Sequence, residues 1–152
     1  MGDRTTVTLE VLTEHKERAE ALFSCTSSED WQSTEGVTNY YYFYEVNYGE
    51  LDFLPKLEAN GIPYSSSWDS GGEYTAGTKS CRFDADGNII IKEIYDNEVN
   101  PSNTGLLRLI DDPEKLREFI LEHAEKIKVL PWTDQAANSG FYMACRLIDA
   151  KP

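Results

Sequence analysis

Thr38-Asn39-Tyr40-Tyr41-Tyr42-Phe43-Tyr44-Glu45-Val46-Asn47-Tyr48, residues 38–48, is the stretch whose reading decides the fold. It is β-prone throughout, rich in aromatic and β-branched side chains that suit a pleated, half-buried surface. Side chains alternate along a strand, so Tyr40, Tyr42, Tyr44, Val46 and Tyr48 share one side. Tyr41, Phe43, Glu45 and Asn47 share the other. Both sides are apolar over the first half, which predicts a strand inside a sheet rather than at its edge. Alternate tyrosines usually fill a core face with their hydroxyls reaching its margin. One set is therefore expected in the core and part of the other on the surface.

The flanking elements follow from the same reasoning. Thr5–Leu12 alternates, with Val7, Leu9 and Val11 on one side, and reads as a half-buried strand. Thr13 is placed to cap a following helix whose apolar stripe is Ala19, Leu22 and Phe23. Residues 24–36 are polar and read as a loop, with Trp31 as the large apolar residue in it. Asp52 is placed to cap a second helix, with Pro55 in its first turn and Leu54 and Leu57 facing inward. Gly61 and Pro63 stop it. Tyr64–Trp68 and Glu73–Phe83 read as strands around a turn at Asp69–Gly72. Asp84-Ala85-Asp86-Gly87-Asn88 signals a hairpin into a strand over 88–96. A loop over 97–103 and a short helical piece around Leu106–Ile110 come next. Pro113–Ile127 is the clearest helix, capped by Asp112 and started by Pro113. Phe141–Ile148 reads as a closing strand. The order predicts a single α+β domain over 1–152. It has a mainly antiparallel sheet of about five to six strands with helices packed on one face.

Charge narrows the function. The chain carries a net charge of −13. Residues 1–104 hold nineteen acids and seven bases; residues 105–152 hold eight and seven. Between Arg18 and Lys56 lie seven acids and no base. Such a field repels nucleic-acid backbones and anionic membranes, so direct binding to either is not expected. It attracts basic surfaces and speeds encounter with them. Cys25, Cys81 and Cys145 have no close spacing of the kind zinc or redox motifs use, and buried free thiols fit a reducing compartment. No leader pattern and no apolar run of spanning length is evident, so a soluble cytoplasmic protein is expected.

Local motifs add little chemistry. Asp69-Ser70-Gly71-Gly72 resembles the Asp-Ser-Gly-Gly around the nucleophile of chymotrypsin-like proteases, over four residues. Trp68 stands where that family has Gly and Glu73 where it has Pro. Neither His15 nor His123 lies in the family's histidine setting, and a triad needs a base and an orienter. A tight turn is the simpler reading. Asp84-x-Asp86-Gly87-Asn88 departs from a calcium loop, whose glycine falls sixth and whose bidentate glutamate falls twelfth. No metal set, phosphate loop or nucleophile elbow is present in the sequence, so no cofactor, metal or catalytic residue is assigned.

Two functions from different classes remain. The first is a non-enzymatic acidic protein that engages a basic, nucleic-acid-binding partner by imitating phosphates with carboxylates. In size and charge the chain resembles the small acidic inhibitors of phages and plasmids, including anti-CRISPR and antirestriction proteins. The expected acidic face is Glu29, Asp30, Glu35, Glu50, Asp52 and Glu58. The second is a small enzyme or ligand-binding domain with a carboxylate and tyrosine pocket at Glu45, Tyr48, Trp68 and Glu73. Glu45 belongs to it because a strand glutamate among tyrosines, if buried, needs a partner or a raised pKa.

Overall fold

The sheet is built outward from β1 (Arg4–Leu12), whose Val7, Leu9 and Val11 are fully buried. The computed structural model describes residues 3–25, 30–32, 36–99 and 103–136. β1 pairs antiparallel with β3 (Thr38–Asn47) on one side and with β4 (Tyr64–Trp68) on the other. β2 (Asp30–Gln32) adds to β3, and β5 (Gly77–Phe83) and β6 (Ile89–Tyr95) extend the other edge. The described strands form one six-stranded sheet in the order β2-β3-β1-β4-β5-β6, antiparallel at every pairing. The fold is α+β, and the tyrosine-rich strand lies inside the sheet as its two-sided pattern requires.

One face of the sheet carries the core. Val7, Leu9, Val11, Tyr41 and Phe43 pack there beneath α1 (Lys16–Glu20) and α2 (Leu54–Ala59). Phe23 and Phe53 seal that cover, with Phe23 edge-on to Tyr41 at 5.0 Å and to Phe43 at 5.4 Å. Residues 125–135 meet the opposite face over β5 and β6. There Lys92 Nζ donates to the carbonyls of Glu125 and Lys128. Arg82, 4% exposed, donates to Tyr64 O, Ser65 Oγ and Leu130 O, and its guanidinium lies 3.7 Å from the centre of the Trp132 ring. Burial draws its pKa down to about 10, against the opposing charge of Glu10, so it stays charged at neutral pH.

Several local expectations are corrected. The expected loop over 24–36 contains β2, because β3 offers an edge whose backbone groups pair with residues 30–32. Thr13 caps nothing; its hydroxyl donates to Gly36 O at 3.0 Å, and a 3-10 turn over Thr13–His15 precedes α1. Asp52 does not cap α2, which starts after Phe53 with no side-chain cap; Asp52 instead accepts a hydrogen bond from Ser24. The expected loop over 97–103 begins with a short helix, α3 (Asp96–Val99). α4 (Asn103–Leu109) and α5 (Pro113–Ile127) follow, and Asp112 caps α5 by accepting from Lys115 N at 3.2 Å. Gly61 ends α2 at φ +67 with Ile62 N donating back to Leu57 O. The Asp84–Asn88 hairpin stands, with the Asp84 carboxylate accepting from the backbone of Asp86 and Asn88. The expected strand Phe141–Ile148 lies outside the described residues.

Candidate functional site

Directly opposed residues in neighbouring strands share a face, so the register writes rows across the sheet. One row on the core face reads Phe43, Val7, Trp68, Gly77, Tyr95. The next reads Tyr41, Leu9, Ser66, Lys79, Glu93. Each row starts apolar beneath α1 and α2 and ends polar and aromatic on β4 to β6. Where it changes, the helical cover stops and a cleft of about 660 Å³ opens.

Ser66, Lys79 and Glu93 form the floor of this cleft, and Trp68 and Tyr95 stand beside them. The segment from Tyr48 to Asp52 makes the facing wall and brings Glu50 and Asp52. Tyr74 closes one end, with its ring 6.1 Å from that of Tyr48. Trp68 is clamped. Its Nε1 donates to Thr75 O at 3.0 Å and its ring meets Tyr95 edge-on at 6.1 Å. A Cβ on Gly49 would fall 2.7 Å from Trp68 Cγ, and one on Gly77 would fall 2.8 Å from Trp68 Cζ2. Gly49 also sits at φ +72, where only glycine is unstrained. Tyr48 takes φ +53 without being glycine, held by its N–H donating to Asp3 O at 2.8 Å. Strain of that kind persists where the surroundings over-determine it, and it concentrates at binding clamps.

The cleft is electronegative. Three carboxylates line it, on Glu50, Asp52 and Glu93, against the one ammonium of Lys79. That ammonium is already spoken for: it lies 3.7 Å from Glu58, which also accepts from the buried Tyr64 hydroxyl at 2.6 Å. Tyr95 reports the local field. Its hydroxyl donates to Glu93, and this bond, with the charges of Glu93, Glu98 and Glu50 behind it, holds the phenol above its ordinary pKa. Two hydroxyls on the cleft lining are left over. Ser66 is 1% exposed and its Oγ has no hydrogen-bond partner, and the Tyr74 hydroxyl is likewise buried and unpartnered.

The residues singled out from sequence separate cleanly in space. Tyr48, Trp68, Glu50 and Asp52 line the cleft. Glu45 does not. A β-bulge opposite Thr5–Val7 inserts a residue into β3, and Glu45 takes φ +57 there. The bulge turns Val46 toward the core in its place and leaves Glu45 exposed, 3.2 Å from Arg4. Glu73 is exposed outside the cleft lining, with its backbone N–H on Asp3. Glu58 is committed to Lys79 and Tyr64, so it is not a free carboxylate of an acidic face. Asp30 lies in β2 with only its backbone described, and Glu29 and Glu35 lie outside the described residues.

Sequence reasoning placed Tyr74 beside Glu73 in the pocket region, and it does line the cleft, but it missed Ser66, Lys79, Glu93 and Tyr95. A signal existed for one pair. The hairpin turn over 84–88 fixes the β5–β6 register, and counting back from it sets Lys79 opposite Glu93. Gly71 also has a reason the turn reading lacked, since a Cβ there would fall 2.4 Å from the Tyr74 ring.

Chemically the lining offers acceptors and aromatic faces. Ser66 Oγ makes no hydrogen bond to Lys79 or any other described base, so it is not an activated nucleophile. Among the described residues no group of three or more His, Cys, Asp or Glu side chains is placed to hold a metal ion. His15 is buried beside Arg18 and His123 stacks on Phe119, and neither lines the cleft. A second cavity of about 210 Å³ lies between β5, β6 and residues 125–130, but its Arg82 and Lys92 are occupied by backbone carbonyls. Among the described residues no helix is long and apolar enough to cross a membrane. No protein-family model, no curated protein and no solved structure matches the chain.

Proposed function

We propose that this chain is a non-enzymatic binding protein whose acidic surface engages a basic partner. The observation that carries the reading is the state of Glu50 and Asp52. Both are exposed, and among the described residues no lysine or arginine lies within ion-pair distance of either. By contrast Glu20 and Glu45, from the same base-free stretch, face Lys16 and Arg4. Carboxylates left without counter-charges on a strongly acidic chain raise the local concentration of cationic partners and steer their approach. The sharpest form of the reading is imitation of a nucleic acid, with the inhibitors of phages and plasmids as its functional type. The overall charge and size support that form.

The test is capture from host-cell lysate at low and at high salt, with DNA as competitor. A nucleic-acid-binding protein retained at low salt and displaced by DNA is the expected result. Joint substitution of Glu29, Asp30, Glu50 and Asp52 by their amides should abolish that retention with the fold intact. A partner that survives both the amide variant and high salt would overturn the reading. A second reading, a ligand-binding domain, is favoured by the cleft itself, whose volume and mixed lining are those of a small-molecule site.

A further inference from the structure

We propose that the cleft between the 48–55 segment and strands β4 to β6 is a binding site for a primary alkylammonium group. The ligand is the amine of a lysine side chain on a partner, or of a free polyamine. The inference rests on the binding reading only in taking the ligand to be basic.

Three independent features of the cleft converge on that chemistry. Carboxylates on Glu50 and Glu93 approach it from the facing wall and from the floor, so a cation inside meets negative charge on two sides. Aromatic rings line it from Tyr48, Trp68 and Tyr95, and such rings attract cations through their quadrupole. The buried Ser66 hydroxyl is unpartnered at the floor, and a buried polar group left unsatisfied is costly unless a ligand or water completes it. A hydroxyl and carboxylates both accept hydrogen bonds. The ligand must therefore bring N–H donors as well as charge, which a primary ammonium does and a quaternary one does not.

The volume and the resident lysine refine the choice. About 660 Å³ is far more than an ammonium alone fills, so the methylene chain behind the amine lies along the aromatic walls. Lys79 does not fill the role itself, because Glu58 holds its ammonium at 3.7 Å. Burying the chain against rings while the head meets carboxylates is the arrangement a long amphipathic amine requires.

The experiment follows the Trp68 indole N–H and the Tyr48 and Tyr95 ring signals by NMR in the full chain. The probes are spermidine, Nα-acetyl-lysine N-methylamide and the neutral 1,5-pentanediol. The two amines are expected to move these signals saturably, and the diol is expected to leave them in place. The Glu50→Gln, Glu93→Gln double variant should weaken amine binding by about tenfold or more, the loss of two charge-assisted contacts. Ser66→Ala should weaken it by about threefold while leaving thermal stability unchanged or higher, since it deletes an unpartnered buried hydroxyl. That combination separates ligand contact from a merely structural serine. Tighter binding of spermidine assigns the site to free polyamines; tighter binding of the lysine amide assigns it to a partner's side chain. No amine response, an equal response to the diol, or undiminished affinity in both variants overturns the proposal. A DNA-displaced partner captured by a protein that binds no amine would sink this inference alone. Amine binding with no macromolecular partner would sink the broader reading and leave the cleft assigned.

Discussion

The two halves of one sheet face share a register and differ in what they put on it. Over β3 and β1 the rows read Tyr41 with Leu9 and Phe43 with Val7, and Phe23, Phe53 and Leu57 close them off from water. Over β4 to β6 the same rows continue as Ser66, Lys79, Glu93 and as Trp68, Gly77, Tyr95, and among the described residues no helix covers them. The comparison teaches that the cleft needs no special backbone device in the sheet. It results from replacing apolar cross-strand partners with polar ones where the cover of α1 and α2 ends. What is special lies in the facing wall, where Tyr48 and Gly49 adopt left-handed conformations to present Glu50 beside Trp68.

The closed half should be the stability centre. Leu9→Ala, at a site with no exposure, should cost about 2–5 kcal/mol in urea denaturation. A loss under about 1 kcal/mol would mean the closed half is not the core. Gly49→Ala probes the boundary between the halves. It forces a side chain into φ +72 and against the Trp68 ring, and should cost about 1–3 kcal/mol while shifting the indole N–H resonance. Stability loss without that shift would show that Trp68 is held by Gly77 and Thr75 alone.

A smaller effect comes from His15, the last residue of the 3-10 turn that follows β1. Arg18 can only donate, so Nδ1 accepts from it at 3.3 Å and the neutral ring carries its proton on a buried Nε2 that makes no hydrogen bond, with Glu14 Oε1 3.8 Å away. Burial holds the folded pKa below the ordinary value of 6.5; Glu14 opposes this and Arg18 adds to it. The unfolded chain therefore takes up the proton first. Stability from this group is complete above pH 6.5 and is lost as pH falls from there toward the depressed folded value. Urea midpoints between pH 7.5 and 5 should fall, and His15→Gln should flatten that fall. An unchanged slope in the variant would assign it to carboxylates instead.

Much of the closed half was legible in the sequence because it obeys strict periodicity. Val7, Leu9 and Val11 alternate, Tyr41 and Phe43 answer them, and Gly61 sits at the end of α2 where its chemistry predicts it. The cleft half was less legible for three physical reasons. Ser66, Lys79 and Glu93 come together only across strands, so no local window contains them. Tyr74 and Trp68 are ordered by glycines at 49, 71 and 77, which leave space for a ring, and at Gly49 the turn also needs the positive φ. Glu45 was misplaced because a bulge is invisible to a count of alternate residues, and past it every side chain changes face.

That misplacement supplies the sharpest and smallest test of the comparison. Glu45 and Glu50 are five residues apart, both exposed and both acidic, and only the bulge and the turn at Tyr48–Gly49 distinguish their settings. Glu45 spends its charge on Arg4 at the surface, with side chains 56% and 72% exposed in that order for arginine and glutamate. An ion pair so exposed contributes little, and Glu45→Gln should change stability by less than about 0.5 kcal/mol. It should also leave amine affinity at wild-type level, while Glu50→Gln weakens it. Equal losses from the two variants would mean that the amine senses the diffuse charge of the whole acidic stretch and not the cleft. In that event the responses of both should vanish together at high salt, because charges acting through solvent are screened over about 8–10 Å at physiological ionic strength.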